Sequence, residues 1–157
     1  KVSVNIPAGV DTGNKIRLSG EGEQSQYGGD NGDLFIVVNV LGHEFFEREA
    51  NHLYCEIPLR IDQAILGDEI EVPTLTKKVL LKIPPETQTG KVFKLRDLGA
   101  GSLHGNSKGD LFIRVVVETP SKISGDQKKN ISKVFSDLDK NFSESKKFID
   151  KLNKKFK

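Results

Sequence analysis

The sequence has no methionine, no tryptophan and a single cysteine, Cys55, among 157 residues. One thiol closes no intrachain disulfide and holds no zinc unaided, so a reducing compartment is indicated and the cytoplasm is the expected location. No apolar run approaches the roughly 20 residues of a membrane-spanning helix. No charged segment followed by an apolar stretch opens the chain, so no secretory signal is read there. The glycosylation patterns Asn130-Ile-Ser132 and Asn141-Phe-Ser143 carry no weight without one. Lys1 already lies inside an alternating stretch, Val2, Val4 and Ile6, and the chain reads as a fragment of something longer.

Catalytic chemistry is missing as well. No serine, histidine and carboxylate constellation follows from the spacings. His43, His52 and His104 fall near predicted loops without the paired spacing of metal ligands, and Cys55 alternates with Leu53 and Ile57 on an inward face, as a buried structural thiol does. Gly28-Gly-Asp-Asn-Gly-Asp33 lacks the ligand spacing and terminal glutamate of a calcium loop and the Gly-Lys-Ser/Thr of a nucleotide loop, and is read as a turn before a strand.

The formal net charge of +2 hides an uneven distribution. Residues 1–119 carry 13 Lys and Arg against 17 Asp and Glu, a balance of −4, whereas residues 120–157 carry 11 against 5, a balance of +6. A mildly acidic body argues against nucleic-acid binding, which needs a dense basic face.

What is present is an internal repeat. Val2-Ser-Val-Asn-Ile-Pro7 returns as Val79-Leu-Leu-Lys-Ile-Pro84, and Gly32-Asp-Leu-Phe-Ile36 as Gly109-Asp-Leu-Phe-Ile113, both 77 positions later. The same offset aligns Thr12-Gly13 with Thr89-Gly90, Leu18 with Leu95, Gly22 with Gly99 and Gly28 with Gly105. Each copy reads as strand, turn, strand, long loop, strand. In the second, Val79, Leu81 and Ile83 share a face, Pro84-Pro85 ends the strand, Phe93 and Leu95 repeat the pattern, and Leu111 to Val117 form a strand partly covered on both faces. The recurring Gly-Asp pairs start that strand, the aspartate bonding local backbone. Ahead of the second copy stand Leu53, Cys55, Ile57 and Leu59 in alternation, a short helix capped by Asp62 and stopped by Gly67, and a strand from Glu69 to Val72. No counterpart of residues 53–76 precedes Val2, so the first copy is expected to be incomplete, with an open edge.

The C-terminal segment differs in kind. Ser124 and Gln127 form a capping box, and Ile131, Val134, Phe135 and Leu138 fall at i, i+3, i+4 and i+7. Phe142, Phe148, Ile149, Leu152 and Phe156 nearly continue the stripe, as one helix or as two with Ser143 capping the second. The fold class is thus mainly β, with two tandem small β-sandwich domains, the first incomplete, followed by an amphipathic helical segment. The boundaries are residues 1–48, 49–120 and 121–157.

Four stretches carry a family resemblance: His43-Glu-Phe-Phe-Glu-Arg-Glu-Ala-Asn-His-Leu-Tyr-Cys-Glu-Ile-Pro58, Ala64-Ile-Leu-Gly-Asp-Glu-Ile-Glu-Val-Pro-Thr-Leu75, Gly90-Lys-Val-Phe-Lys-Leu-Arg96 and Gly109-Asp-Leu-Phe-Ile-Arg-Val-Val-Val-Glu-Thr-Pro120. Together they resemble the C-terminal region of bacterial type I DnaJ co-chaperones, over residues 2 to about 138. The resemblance implies two client-binding domains and a helical dimerisation segment, with unfolded polypeptides as clients and a DnaK-type chaperone as partner. No cofactor is implied for this stretch, since zinc belongs to a cysteine-rich module absent here. The helical domain carrying His-Pro-Asp is also absent.

Clients of this family bind in shallow apolar grooves, backed by edge-strand pairing. The resemblance points to Ile16, Leu18 and Phe46 for the first domain. By the duplication, Leu53, Ile70, Val72, Phe93 and Leu95 would line a second groove. All of these also read as ordinary sandwich core. Homodimer contacts are expected at Ile131, Val134, Phe135, Leu138 and Phe142, because a short amphipathic helix needs an apolar partner. The competing reading is a structural β-domain spacer whose C-terminal helix is the working interface.

Overall fold

A computed structural model describes residues 2–24, 28–103, 105 and 107–155. Contacts divide the chain into two compact units, Lys1–Thr119 and Pro120–Lys157. The division coincides with the change in charge sign read from the sequence.

Among the described residues the first unit is built from eight strands and one short helix. Its elements are β1 (Lys15–Leu18), β2 (Leu34–Val37), β3 (Glu47–Glu49), β4 (His52–Arg60), α1 (Ile61–Leu66), β5 (Asp68–Pro73), β6 (Lys78–Ile83), β7 (Val92–Leu95) and β8 (Leu111–Glu118). β3, β4, β8 and β7 form one sheet in that order, and β5 pairs with β6 in a separate hairpin. The β4–β8 pair is parallel and runs from Leu53↔Leu111 to Arg60↔Glu118. Alternation puts Leu53, Cys55 and Leu59 of β4, and Leu111, Ile113 and Val115 of β8, on one buried face. Val72 of β5, Leu81 and Ile83 of β6 and Ala64 of α1 close over that face, so two layers share one core.

Arg60 precedes the first turn of α1, and its N–H donates to Gln63 Oε1 at 3.1 Å. Asp62 is therefore not the cap: it lies within the helix, where its carboxylate receives the Arg60 guanidinium at 2.6 and 3.0 Å. Gly67 ends the helix at φ +79°, where a Cβ would stand 2.9 Å from the Ile83 carbonyl oxygen.

The repeat extends to individual hydrogen bonds. Gly13 N–H donates to Val38 O and Gly90 N–H to Val115 O, at 2.9 and 2.7 Å. Gly22 to Gly32 and Gly99 to Gly109 are both 2.8 Å. Thr12 Oγ1 accepts from Val40 N–H at 2.9 Å, as Thr89 Oγ1 does from Val117 N–H at 3.1 Å. The aspartate of each Gly-Asp pair bonds the equivalent backbone, Asp33 with Gly20 N–H and Asp110 with Asp97 N–H, both at 3.2 Å. Backbone conformation repeats even where the residue does not: Gly9 and Gly20 have positive φ, and so do Glu86 and Asp97.

Two differences follow from what pairs with each copy. β2 has four residues and pairs with β1, whereas its equivalent β8 has eight and pairs with both β7 and β4. Residues 2–6, read from their alternation as a strand, carry no strand, although the equivalent residues form β6. β6 gains its ladder from β5, whereas among the described residues no strand pairs with residues 2–6. Arg48 joins the copies, its guanidinium donating to the carbonyls of Gly9, Val10 and Ala50 at 2.7 to 2.8 Å.

In the second unit, α2 (Gly125–Asp137) has the expected capping box, with Ser124 N–H donating to Gln127 Oε1 at 2.7 Å and Gln127 N–H to Ser124 Oγ at 3.3 Å. A 3-10 turn at Asp139–Asn141 separates it from α3 (Ser143–Lys155), so the tail is two helices. Ser143 is the first residue of α3 rather than its cap, because Phe142 O accepts the Lys146 N–H at 3.2 Å. Phe156 lies outside the described residues.

The recurring glycines Gly32 and Gly109 are not under the same constraint. A Cβ on Gly109 would meet Asn51 O at 1.8 Å, whereas on Gly32 its nearest neighbour would be Glu23 O at 3.7 Å. Gly109→Ala is therefore expected to cost about 3 kcal/mol and Gly32→Ala less than about 0.5 kcal/mol, measured by urea denaturation. Equal losses would show that the Asn51 contact does not set the requirement.

Candidate functional site

Because β4 and β8 have side chains on both faces, the side of the four-stranded sheet turned away from the core is also apolar in part. Register places Glu47, Tyr54, Phe112 and Lys94 in one cross-strand row, and Glu56, Arg114 and Val92 in the next but one. The rings of Tyr54 and Phe112 stack at 5.1 Å, and His52 meets Phe112 edge-on at 5.5 Å. Lys94 Nζ sits 5.7 Å from the Phe112 centroid.

The segment entering β3 forms the other side. His43 Nδ1 accepts the Phe45 N–H at 3.1 Å, and its ring stands 4.9 Å from that of Phe46. This turn sends Phe46 into the core, 7% exposed, and leaves Phe45 outside at 54%. Between them lies an open groove of about 770 Å³ with Phe45, Tyr54, Val92 and Phe112 on its walls. Glu44, Glu47, Glu49 and Glu56 line it with Arg48 and Arg114. Desolvation first, then the negative charge of the Glu49 carboxylate and a hydrogen bond donated to it by the hydroxyl, raise Tyr54 above the ordinary phenol range, so it stays a neutral donor. Cys55 lies beneath, buried, with its thiol pushed up by that burial, and it is no activated nucleophile.

The sequence-derived site residues are distributed unevenly. Ile16 and Leu18 pair with Ile36 and Leu34 on the half-buried face of the β1–β2 sheet. Phe46, Leu53 and Val72 are core, Phe46 also lining the groove, and Ile70, Phe93 and Leu95 pack against that core. The set expected to line a second groove is thus brought together around one core, with Leu53 and Val72 buried and Ile70, Phe93 and Leu95 half-buried. Ile16 and Leu18 are not part of that cluster. In the tail, Ile131, Val134 and Phe142 are exposed while Phe135 and Leu138 are half-buried, with the Phe135 and Phe142 rings 6.1 Å apart.

Sequence reading missed Phe45, Tyr54, Val92 and Phe112. The available signal was the double-sided apolar pattern of residues 111–117. His52 has a structural task, its Nδ1 accepting the Asp110 N–H at 3.0 Å. His104 lies outside the described residues, among which no cluster suited to a metal ion occurs. Among the same residues no helix is long and apolar enough to cross a membrane.

The model of the DnaJ C terminal domain matches residues 1–120. The chain belongs to this DnaJ C-terminal family. Membership gives the chain, in general terms, a chaperone substrate-binding role. The family is one of co-chaperone domains. The match ends where the acidic body of the DnaJ-type unit gives way to the basic tail.

Beside Phe112, the Lys94 ammonium bonds Asp110 at 2.8 Å and is the main cause holding that carboxyl below its usual range, aided by Asp97 N–H and His52 and opposed by desolvation. A depressed folded-state pKa contributes stability above the unfolded value near ~3.9 and loses it as pH falls through the folded one. Urea midpoints of the wild type should therefore drop in acid more steeply than those of Asp110→Asn. Parallel pH profiles would show the carboxylate contributing nothing.

Proposed function

We propose that this chain binds unfolded client polypeptides, self-associates through its tail, and serves a DnaJ-type co-chaperone that hands clients to a DnaK-type ATP-dependent chaperone. The observation that carries the reading is the groove on the outer sheet face. Aromatic side chains are normally drawn into a core, yet Phe45, Tyr54 and Phe112 frame an open concavity in a family whose domains bind polypeptide. Affinity comes from apolar burial, with no bond made or broken. The exposed stripe of Ile131, Val134 and Phe142 supports self-association, since helices of 13 residues gain little stability without an apolar partner.

Suppression of aggregation of a chemically unfolded client by the whole chain tests the reading. Phe45→Ser, which leaves the core untouched, should weaken client binding about tenfold; unchanged suppression would remove the groove from the site. Deleting residues 121–157 separates this reading from the spacer alternative. The expected result is loss of self-association in sedimentation with client binding per chain retained. Loss of client binding with the tail favours the spacer.

A further inference from the structure

We infer that Arg48 is a positioning residue: its guanidinium latches the two copies of the repeat together at one angle, so that residues 2–119 move as a single rigid arm. The inference goes beyond client binding and stands without it.

The core does not run across both copies. Its buried residues and the apolar residues packed on them all lie between Phe46 and Val117. β1 and β2 pair with each other, and among the described residues neither pairs with a strand of the second copy. Two folded parts that share no large apolar interface move relative to each other unless another contact stops them.

Arg48 supplies that contact. It stands on β3, and its Nε donates to Ala50 O at 2.7 Å in the turn that leads to β4, which fixes the guanidinium plane. The turn is anchored in the second copy, where Asn51 O accepts the Ala100 N–H at 2.9 Å. Nη1 and Nη2 reach into the first copy and donate to Val10 O and Gly9 O, at 2.7 and 2.8 Å. Three bonds from one rigid planar group to two turns set an angle as well as a distance. A lysine ammonium, with rotating donors on a flexible stem, sets only the distance. The first copy's turn also abuts the second directly: a Cβ on Gly9, at φ +89°, would stand 2.4 Å from Gly101 O. In the second copy the equivalent turn docks elsewhere, with the Glu86 and Thr87 N–H groups donating to Ile65 O and Ala64 O of α1 at 3.1 and 2.9 Å. Arg48 therefore does for the first copy what α1 does for the second. Without the guanidinium, the half-buried Gly9 and Val10 lose these donors and their carbonyls turn to water, which opens the contact.

The test measures electron spin–spin distances in the whole chain, labelled through Lys15→Cys on β1 and Lys82→Cys on β6, both exposed positions. Cys55 is buried and stays unlabelled. Labelled chains are diluted into unlabelled ones so that self-association adds no distances. With Arg48 present, one narrow distribution is expected. Arg48→Gln and Arg48→Lys should both broaden it, while amide-exchange protection of β4 and β8 stays as in the parent, showing that the core is intact. Failure of lysine to restore the narrow distribution separates a fork that fixes an angle from a mere positive charge. Gly9→Ala, which keeps the guanidinium, should move the mean distance, because its Cβ forces the turn away from Gly101. A distribution that is broad with Arg48 present, or that stays narrow in Arg48→Gln, overturns the inference. So does a lower urea midpoint with an unchanged distribution, which would make Arg48 a stabilising residue and not a positioning one. If the Arg48 variants lose the core protection, Gly9→Ala decides alone, and an unmoved mean overturns the latch.

Discussion

The parallel pairing of β4 with β8 is the interaction on which the rest of the first unit depends. It lines up eight residue pairs and brings Leu53, Cys55 and Leu59 beside Leu111, Ile113 and Val115, the face on which the β5–β6 hairpin and α1 close. Parallel strands cannot be joined by a tight turn, and here the connection contains α1 and the β5, β6 and β7 strands, so most of the second copy lies between the two partners. Its close approaches follow from the same pairing. Ala100 N–H bonds Asn51 O just before β4 begins, and Gly109 must be glycine because Asn51 passes against it.

The first copy shows what the repeated sequence amounts to without that partner. β1 and β2 keep the register, the turn bonds and the aspartate contact of β7 and β8, all of which are local or arise within a two-stranded pair. β2 stops after four residues, and Phe35 and Val37, equivalent to Phe112 and Arg114, are exposed at 58% and 62%. In the second copy Phe112 is half-buried because Tyr54 and His52 of β4 flank it. One sequence pattern therefore yields a solvent-facing sheet in one place and the floor of a groove in the other.

The groove is a by-product of how a two-sided strand is accommodated. The core accepts one face of β8, and Phe112 on the other face is partly sheltered by its neighbours in register, with Phe45 swung across by the His43 turn. Selective burial of Phe46 and exposure of Phe45 gives a core anchor and a surface contact from adjacent residues. The glutamates around the floor keep this apolar surface solvated and supply its charge.

By itself the sequence determined the repeat and its 77-residue offset, the mainly β fold class, the strand faces of the second copy, the helix stop at Gly67, the capping box at Ser124 and the charge boundary after residue 119. These rest on period-two alternation, turn chemistry and local hydrogen bonds, which are set by neighbours along the chain. Tertiary structure alone decided whether an alternating stretch becomes a strand, since residues 2–6 and 79–83 alternate alike and, among the described residues, only the second pairs with another strand. It also decided which apolar residues form core and which form surface. Leu53 and Tyr54 are adjacent on one strand, and their separate fates follow from which face of the sheet the β5–β6 hairpin covers, a contact between residues distant in the chain that no local pattern encodes.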